Sequence, residues 1–154
     1  MSPSHSFSIC QLTSGDVALM EAMMTTFGEA FADMSTYTKA RPSTGYLERL
    51  LGGNAFIALA AVKEGTVVGG LAAYELPKFE QERSEIYIYD LAVAAAHRRE
   101  GIATALIEEL KAIALGRGAY VLFVQADRED APAIALYSKL GVREDVLHFD
   151  IKIV

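Results

Sequence analysis

The stretch EIYIYDLAV, residues 85–93, is a near-continuous apolar run that one acid, Asp90, interrupts. A short alanine-rich link leads from it to HRREGIAT, residues 97–104, and from Ile102 onward the apolar residues recur about every 3.6 positions. A buried strand, a basic glycine turn and an amphipathic helix are therefore predicted to follow one another directly. Such a turn directs backbone N–H groups and the positive end of a helix dipole at a bound phosphate.

The remaining apolar patterns extend this unit into a complete fold. They predict strands at residues 7–12, 55–62, 67–76, 85–93, 120–124 and 148–154, and helices at residues 17–32, 44–51, 102–116 and 131–140. Residues 33–43 read as a loop. The order β-α-α-β-β-β-α-β-α-β favours an α/β (α+β) fold with a mixed central sheet flanked by helices. We expect one domain over residues 1–154.

Composition excludes several classes of protein. With 14 basic and 20 acidic residues the net charge is −6, which disfavours nucleic acid and anionic membranes and suits a cationic small molecule; plain solubility charge is the alternative. No apolar run reaches the ~18–20 residues of a membrane span. One cysteine and three scattered histidines predict neither a disulfide nor a metal site. Met1 to His5 lack the basic start of a signal peptide, so we expect a cytoplasmic protein.

The turn after the central strand has the residue types that a pyrophosphate needs. Gly101 removes a Cβ where the ligand would approach, Ala103 is small, and Arg98 and Arg99 add positive charge. The same pattern also occurs in simple turns with solvated arginines. The strand before it and the helix after it favour a phosphate site, and the absence of Gly-Lys-Ser/Thr excludes a nucleotide P-loop.

Two motifs resemble one family. RREGIA, residues 98–103, resembles the Q/R-x-x-G-x-G/A acetyl-CoA signature of the GNAT superfamily of N-acetyltransferases, and DAPAIALYSKLG, residues 130–141, resembles its N-x-x-A-x-x-L-Y-x-K-x-G block. The resemblance covers nearly the whole chain and implies acetyl-CoA (coenzyme A) as the cofactor. Its pantetheine arm would pair with residues 91–93, and its pyrophosphate with N–H groups of residues 98–104. The cofactor-binding residues so implied are Leu91, Ala92, Val93, Arg98, Arg99, Glu100, Gly101, Ile102, Ala103, Thr104, Asp130, Ala133, Tyr137 and Lys139.

Three longer runs are similar to one branch of that family. FIALAA (residues 56–61), LPKFEQ (76–81) and RSEIYIYDLAV (83–93) resemble the type I aminoglycoside 3-N-acetyltransferases, the gentamicin-resistance enzymes. The resemblance implies acetylation of the 3-amino group of the 2-deoxystreptamine ring, and a homodimer. The alternatives are acetylation of another cationic amine, such as a polyamine or a peptide terminus, and a non-catalytic acyl-CoA-binding sensor.

Direct acetyl transfer in a ternary complex needs a base, a stabilised carbonyl oxygen and a proton for the leaving thiolate. Asp90 is the candidate base, directly or through water, because it interrupts an apolar strand. The alternative is a carboxylate that caps a β-bulge or pairs with a tyrosine. The Leu91 N–H is the candidate oxyanion donor. Tyr137 is the candidate acid, with a core aromatic as its alternative.

A polycationic substrate also needs carboxylates and polar groups around it, although each acid considered singly is more often a solvated surface charge. The predicted substrate-binding residues are Asp33, Tyr37, Glu80, Glu82, Glu85, Asp90, Asp127, His148 and Asp150.

Overall fold

The computed structural model describes residues 7–154, in two compact units that meet in sequence between Val124 and Gln125. Met1 to His5, on which the expectation of no signal peptide rests, lie outside the described residues. The prediction of a single domain stays a prediction. No helix within residues 7–154 is long and apolar enough to cross a membrane.

The first unit is a five-stranded mixed sheet with helices packed against it. Its elements are β1 (Phe7–Gln11), α1 (Val17–Ala30), α2 (Met34–Thr38), α3 (Thr44–Gly52), β2 (Phe56–Lys63), β3 (Thr66–Pro77), β4 (Ser84–Val93), a 3-10 turn (Ala95–His97), α4 (Ile102–Arg117) and β5 (Ala119–Val124). The strands lie in the order β1-β2-β3-β4-β5, antiparallel throughout except for the parallel β4–β5 pair. The predicted α/β class and mixed sheet are confirmed.

Alternating side chains divide the sheet between two cores. Small residues such as Ala58, Ala60 and Ala72 form one cluster with Phe27 of α1 and Leu47 of α3. The intervening bulky residues of β2 and β3 are buried as well, and α4, whose Leu106 and Leu110 are fully buried, contacts these strands. The alternation follows from the two-residue period of a strand. Small residues on one face allow α1 to approach the sheet closely.

A short helix, α2, stands within the segment predicted as a loop. Its N-cap residue is Asp33, whose carboxylate accepts a hydrogen bond from the Thr36 N–H at 3.2 Å. Five residues are too few to reveal a helical period, so the pattern could not predict this element.

The second unit contains α5 (Ala131–Leu140), which agrees with the prediction. Residues 148–154, predicted as a final strand, carry no regular secondary structure within this unit. Their apolar alternation is that of a strand, but a strand needs a partner for its backbone groups. Residues 125–154 contain no other strand that could supply one.

Candidate active site

A β-bulge in β4 sets the geometry of the candidate site. Ala72 of β3 pairs with Asp90, whereas the next residue, Ala73, pairs with Ile88, so Tyr89 is an extra residue in β4. A bulge bends its strand and re-aims the neighbouring side chains. In a regular strand, neighbouring residues such as Tyr89 and Asp90 would lie on opposite faces. The bulge instead lets both side chains line the same cavity.

Directly after the bulge, β4 leaves the parallel ladder. The pairing of β4 with β5 ends at Ile88 and Val124, but β4 itself continues to Val93. The β5-side backbone edge of Leu91 to Val93 therefore lies beyond the end of that ladder. An extended ligand arm can pair with such an edge as an added strand would, which fits the prediction of pantetheine binding at these residues.

The cavity in the first unit has a volume of about 230 Å³ and is lined by aromatic and aliphatic side chains. The rings come from Phe27, Tyr37, Tyr46, Phe56, Tyr74 and Tyr89. Asp90 is the charged residue of the lining. Of these residues the sequence had singled out Tyr37 and Asp90 as ligands, and it missed Tyr46, Tyr74 and Tyr89. The density of tyrosine around residues 74–89 was the available signal for the last two.

The Asp90 carboxylate is half-buried and has a tyrosine partner. The Tyr37 hydroxyl donates a hydrogen bond to Asp90 Oδ2 at 2.9 Å. Burial raises the pKa of Asp90 above its usual value, and the hydrogen bond from Tyr37 opposes that rise. The two features that the sequence left as an alternative role for Asp90, a bulge and a tyrosine partner, are thus both present. Neither removes the carboxylate from the cavity.

The basic turn before α4 has the open backbone that its sequence predicts. Gly101, the N-cap of α4, has φ 83°, and a Cβ built there would meet nothing within 4 Å. No side chain caps this helix end, so its first N–H groups are available to an anion. Arg98 and Arg99 are exposed, and Arg99 also has a positive φ of 65°. The Ile102 side chain is buried, which leaves its backbone for a ligand.

Glu100, predicted to bind the cofactor, uses its side chain within the protein. Its carboxylate lies 2.6 Å from Lys63 Nζ at the end of β2 and 3.2 Å from His97 Nδ1. The hydrogen bond from Lys63, followed by the charges of Lys63 and His97, lowers the pKa of Glu100. The side chain thus ties the turn to the sheet, and its backbone N–H is the part that a phosphate can use.

The predicted acidic ligands of the first unit do not gather around the cavity. Lys78 pairs with Glu80 at 3.4 Å and with Glu85 at 3.7 Å. Glu82 is exposed in the same loop, and Asp33 caps α2. None of these four acids lines the described cavity. Asp90 is the predicted acidic ligand that does.

The second unit holds the remaining predicted residues. Asp130 is the N-cap of α5 and accepts a hydrogen bond from the Ala133 N–H at 3.2 Å. His148 Nε2 lies 2.9 Å from Asp150 Oδ1. The roles of Asp127, Asp130, Ala133, Tyr137, Lys139, His148 and Asp150 toward ligands stay predictions. Among residues 7–154 no group of three or more His, Cys, Asp or Glu residues could hold a metal ion.

Comparisons with known proteins agree on one family. The family described as "Acetyltransferase (GNAT) family" matches residues 18–142. The chain is 68% identical to an aminoglycoside acetyltransferase, HMB0005, from an uncultured soil metagenomic sample, with a TM-score of 0.95 and coverage of 97% of this chain and 99% of that chain. A search of curated proteins gave no match.

Two further solved structures are similar over nearly their whole length. The aminoglycoside acetyltransferase meta-AAC0020, also from an uncultured soil metagenomic sample, was solved with sisomicin; it is 29% identical, with a TM-score of 0.87 and 97% of each chain covered. A ribosomal-protein-alanine N-acetyltransferase from Brucella melitensis biovar Abortus 2308 is 26% identical, with a TM-score of 0.75, over 97% of this chain and 100% of that chain.

Proposed function

The chain belongs to the GNAT family of acetyltransferases, which use acetyl-CoA, and we propose that its acceptor is the 3-amino group of a gentamicin-like 2-deoxystreptamine aminoglycoside. The observation that carries the proposal is the half-buried Asp90 carboxylate, which lines an aromatic cavity at the point where β4 leaves β5. An amine can bind there between a hydrogen-bond acceptor and ring faces that attract cations. The 68% identity to a soil aminoglycoside acetyltransferase supports the same class of acceptor.

Two features of the first unit support acetyl-CoA binding there. The open backbone at Gly101 and the uncapped start of α4 fit a pyrophosphate. The β4 edge from Leu91 to Val93 fits the amide-bearing pantetheine arm. When bound, acetyl-CoA supplies an acetyl group activated as a thioester.

The residues of the chain then have separate tasks. Asp90 accepts a proton from the bound ammonium, directly or through water, which frees the nitrogen lone pair for attack on the acetyl carbon. The Leu91 N–H donates to the carbonyl oxygen as negative charge develops there. Tyr137 donates a proton to the departing sulfur, and the second proton, which the nitrogen loses as the amide forms, returns to the Tyr137 oxygen through water. The acetyl group moves directly to the amine, so no covalent bond to the enzyme forms.

The decisive experiment identifies the product. Purified protein is incubated with acetyl-CoA and gentamicin, kanamycin, spermidine or a peptide with a free N-terminus, and CoA release is measured. Mass spectrometry and NMR of the gentamicin product then locate the acetyl group. We expect one acetyl group on the 3-amino nitrogen. Turnover of spermidine or the peptide without turnover of gentamicin would overturn the aminoglycoside assignment, and acetylation at another nitrogen would overturn the 3-N assignment.

A variant pair separates an enzyme from an acyl-CoA sensor. Asp90→Asn removes the proposed base and should lower turnover by about 10²–10⁴-fold while CoA affinity, measured by calorimetry, stays unchanged. Glu108→Gln is the matched control, because Glu108 is an exposed acid of the same unit that pairs with Lys111 at 3.5 Å and does not line the cavity. An equal loss of turnover and CoA affinity in Asp90→Asn would make Asp90 structural.

Resistance is the proposed cellular consequence. Expression of the protein in a susceptible bacterium should raise the minimal inhibitory concentration of gentamicin, and expression of Asp90→Asn should not. Resistance that survives this substitution would contradict the assigned role of Asp90.

A further inference from the structure

A single hydrogen bond connects α2 to the candidate base. Tyr37 and Asp90 lie 53 positions apart in sequence, yet the Tyr37 hydroxyl is 2.9 Å from Asp90 Oδ2. Both side chains are half-buried and both line the cavity. Within the first unit, the hydrogen bond to the Asp90 carboxylate goes to Oδ2. The second oxygen, Oδ1, accepts no hydrogen bond from that unit and can accept one from a ligand.

The packing of α2 on α1 holds Tyr37 in place. The Tyr37 ring centroid lies 5.9 Å from that of Phe27 and 5.8 Å from that of Phe31. These two phenylalanines are one helical turn from each other, at the C-terminal end of α1. Gly28 lets the helices come this close, because a Cβ there would lie 3.3 Å from Tyr37 Cβ. Two neighbouring aromatic rings and one helix–helix contact thus restrict the Tyr37 rotamer.

We propose that Tyr37 is a positioning residue: its hydroxyl holds Asp90 Oδ2 so that Oδ1 faces the acceptor amine. The inference rests on the proposed function, because it needs Asp90 to be the base. A carboxylate beside a bulge can rotate about χ2, and an outside donor to one oxygen removes that freedom. In this role Tyr37 acts through Asp90 and need not touch the substrate. A change in the pH dependence that follows loss of the hydroxyl therefore distinguishes a positioning residue from a substrate ligand.

The titratable groups around Asp90 are tyrosines, so the pH dependence of activity at acid pH can be assigned to Asp90. The titratable side chains that face it are Tyr37 from α2, Tyr46 from α3, Tyr74 from β3, and Tyr87 and Tyr89 from β4. The side chains of α1 in the lining, Met20, Met24 and Phe27, do not titrate. Burial, followed by the hydrogen bond to Asp90, raises the pKa of Tyr37, so Tyr37 remains a donor at neutral pH. Asp90 is thus the carboxyl group among the titratable side chains that line the cavity.

Removal of the hydroxyl should shift the activity profile in one direction. A base works when it is deprotonated, and the hydrogen bond from Tyr37 lowers the pKa of Asp90. In Tyr37→Phe the pKa of Asp90 should rise, so the acid limb of the kcat/KM profile should move up by roughly half to one pH unit. The kcat at the plateau should also fall by about threefold to tenfold, because the carboxylate is no longer oriented.

The experiment compares Tyr37→Phe with Tyr120→Phe. The control removes a similar hydrogen bond, since the Tyr120 hydroxyl donates to Glu85 Oε2 at 3.2 Å outside the cavity. Profiles are recorded with whichever amine the wild type acetylates. We expect the upward shift of the acid limb in Tyr37→Phe alone. A uniform loss of activity at every pH, or an unshifted profile, would overturn the positioning role.

A second measurement needs neither acetyl-CoA nor turnover. Carboxyl ¹³C NMR titration of the free protein, with the Asp90 signal assigned through Asp90→Asn, reports the pKa of that carboxyl directly. It should rise in Tyr37→Phe and stay unchanged in Tyr120→Phe; no rise would overturn the inference. If the wild type acetylates spermidine and not gentamicin, the aminoglycoside assignment fails, while the Tyr37 experiment still runs with spermidine.

Discussion

Gly28→Ala tests how the protein brings α2 to the candidate site. Gly28 is a buried residue of α1. A Cβ at this position would lie 2.9 Å from Met34 Sδ and 3.3 Å from both Met34 Cα and Tyr37 Cβ. The Met34 sulfur belongs to a half-exposed, flexible side chain and can move aside. The backbone of Met34 cannot, so α2 must shift outward by a few tenths of an ångström.

Two opposing terms set the effect on stability. Alanine in a helix interior is favoured over glycine by about 0.8–1.0 kcal/mol. Overpacking at a close helix contact costs about 1–3 kcal/mol. The net loss of unfolding free energy should therefore be between about 0 and 2 kcal/mol. The outward shift of α2 also lengthens the 2.9 Å contact from Tyr37 to Asp90, so catalysis should suffer more than stability does.

The assay combines thermal unfolding with the pH profile of kcat/KM. Gly28→Ala should reproduce part of the upward shift of the acid limb expected for Tyr37→Phe. Gly45→Ala is the control, because Gly45 is an exposed helical residue whose added Cβ would approach nothing nearer than Arg49 Nη1 at 3.5 Å. It should leave the profile unchanged. A Gly28→Ala protein with wild-type profile and raised stability would refute the claim that a small residue is needed between α1 and α2.

Two further experiments test the glycine turn before α4 and the ion pair between Arg117 of α4 and Glu75 of β3. Gly101→Ala and Gly65→Ala place a side chain at similar positive φ values, 83° and 78°, and neither Cβ would meet anything within 4 Å. Each substitution should lower the free energy of unfolding by about 1–2 kcal/mol. Calorimetry should find weaker CoA binding in Gly101→Ala alone. Equal CoA affinities of the two variants would refute a close approach of the ligand to the Gly101 backbone. Arg117 Nη1 lies 2.8 Å from Glu75 Oε1, and although burial raises the Glu75 pKa, hydrogen bonds from Arg117 and Ser84 lower it on balance. Arg117→Met should therefore lower the free energy of unfolding by about 1–2 kcal/mol near neutral pH. This difference from the wild type should shrink as the pH falls through the lowered Glu75 pKa. A difference that does not vary with pH would show that the substitution removes packing and not a charge interaction.

The limits of sequence reasoning are clearest at Tyr89 and α2. The two-residue period predicts Tyr89 on the face opposite to Asp90, which is correct for a regular strand. The bulge breaks that period, and its position depends on how β3 and β4 pair. The helix α2 is too short to show a helical period of apolar residues, and it depends on the Asp33 N-cap and on packing against α1. Tyr46 of α3 and Tyr74 of β3 lie on elements that the sequence predicted, but only the tertiary structure brings them into the same cavity as Asp90.

The acidic residues of the segment before and within β4 differ in their surroundings in a way that the sequence does not show. Glu80, Glu82 and Glu85 share a segment with Asp90, and charge alone could not distinguish them. Their different places follow from partners: Lys78 neutralises Glu80 and Glu85, whereas Asp90 faces the cavity. Whether a carboxylate of this segment can bind a ligand thus depends on which residues the folded chain places next to it.

The sequence by itself determined the strand, the glycine turn and the helix of residues 85–117, the mixed sheet, and the family. These features depend on local periods and on residue types that a short stretch already contains. The tertiary structure alone decided that β4 bulges at Tyr89, that Tyr37 bonds to Asp90, and that Lys63 ties Glu100 to the sheet. Each of these joins residues through strand register or helix packing, which only the folded chain defines. Asp90 is prominent in the sequence, but its surroundings come from the fold.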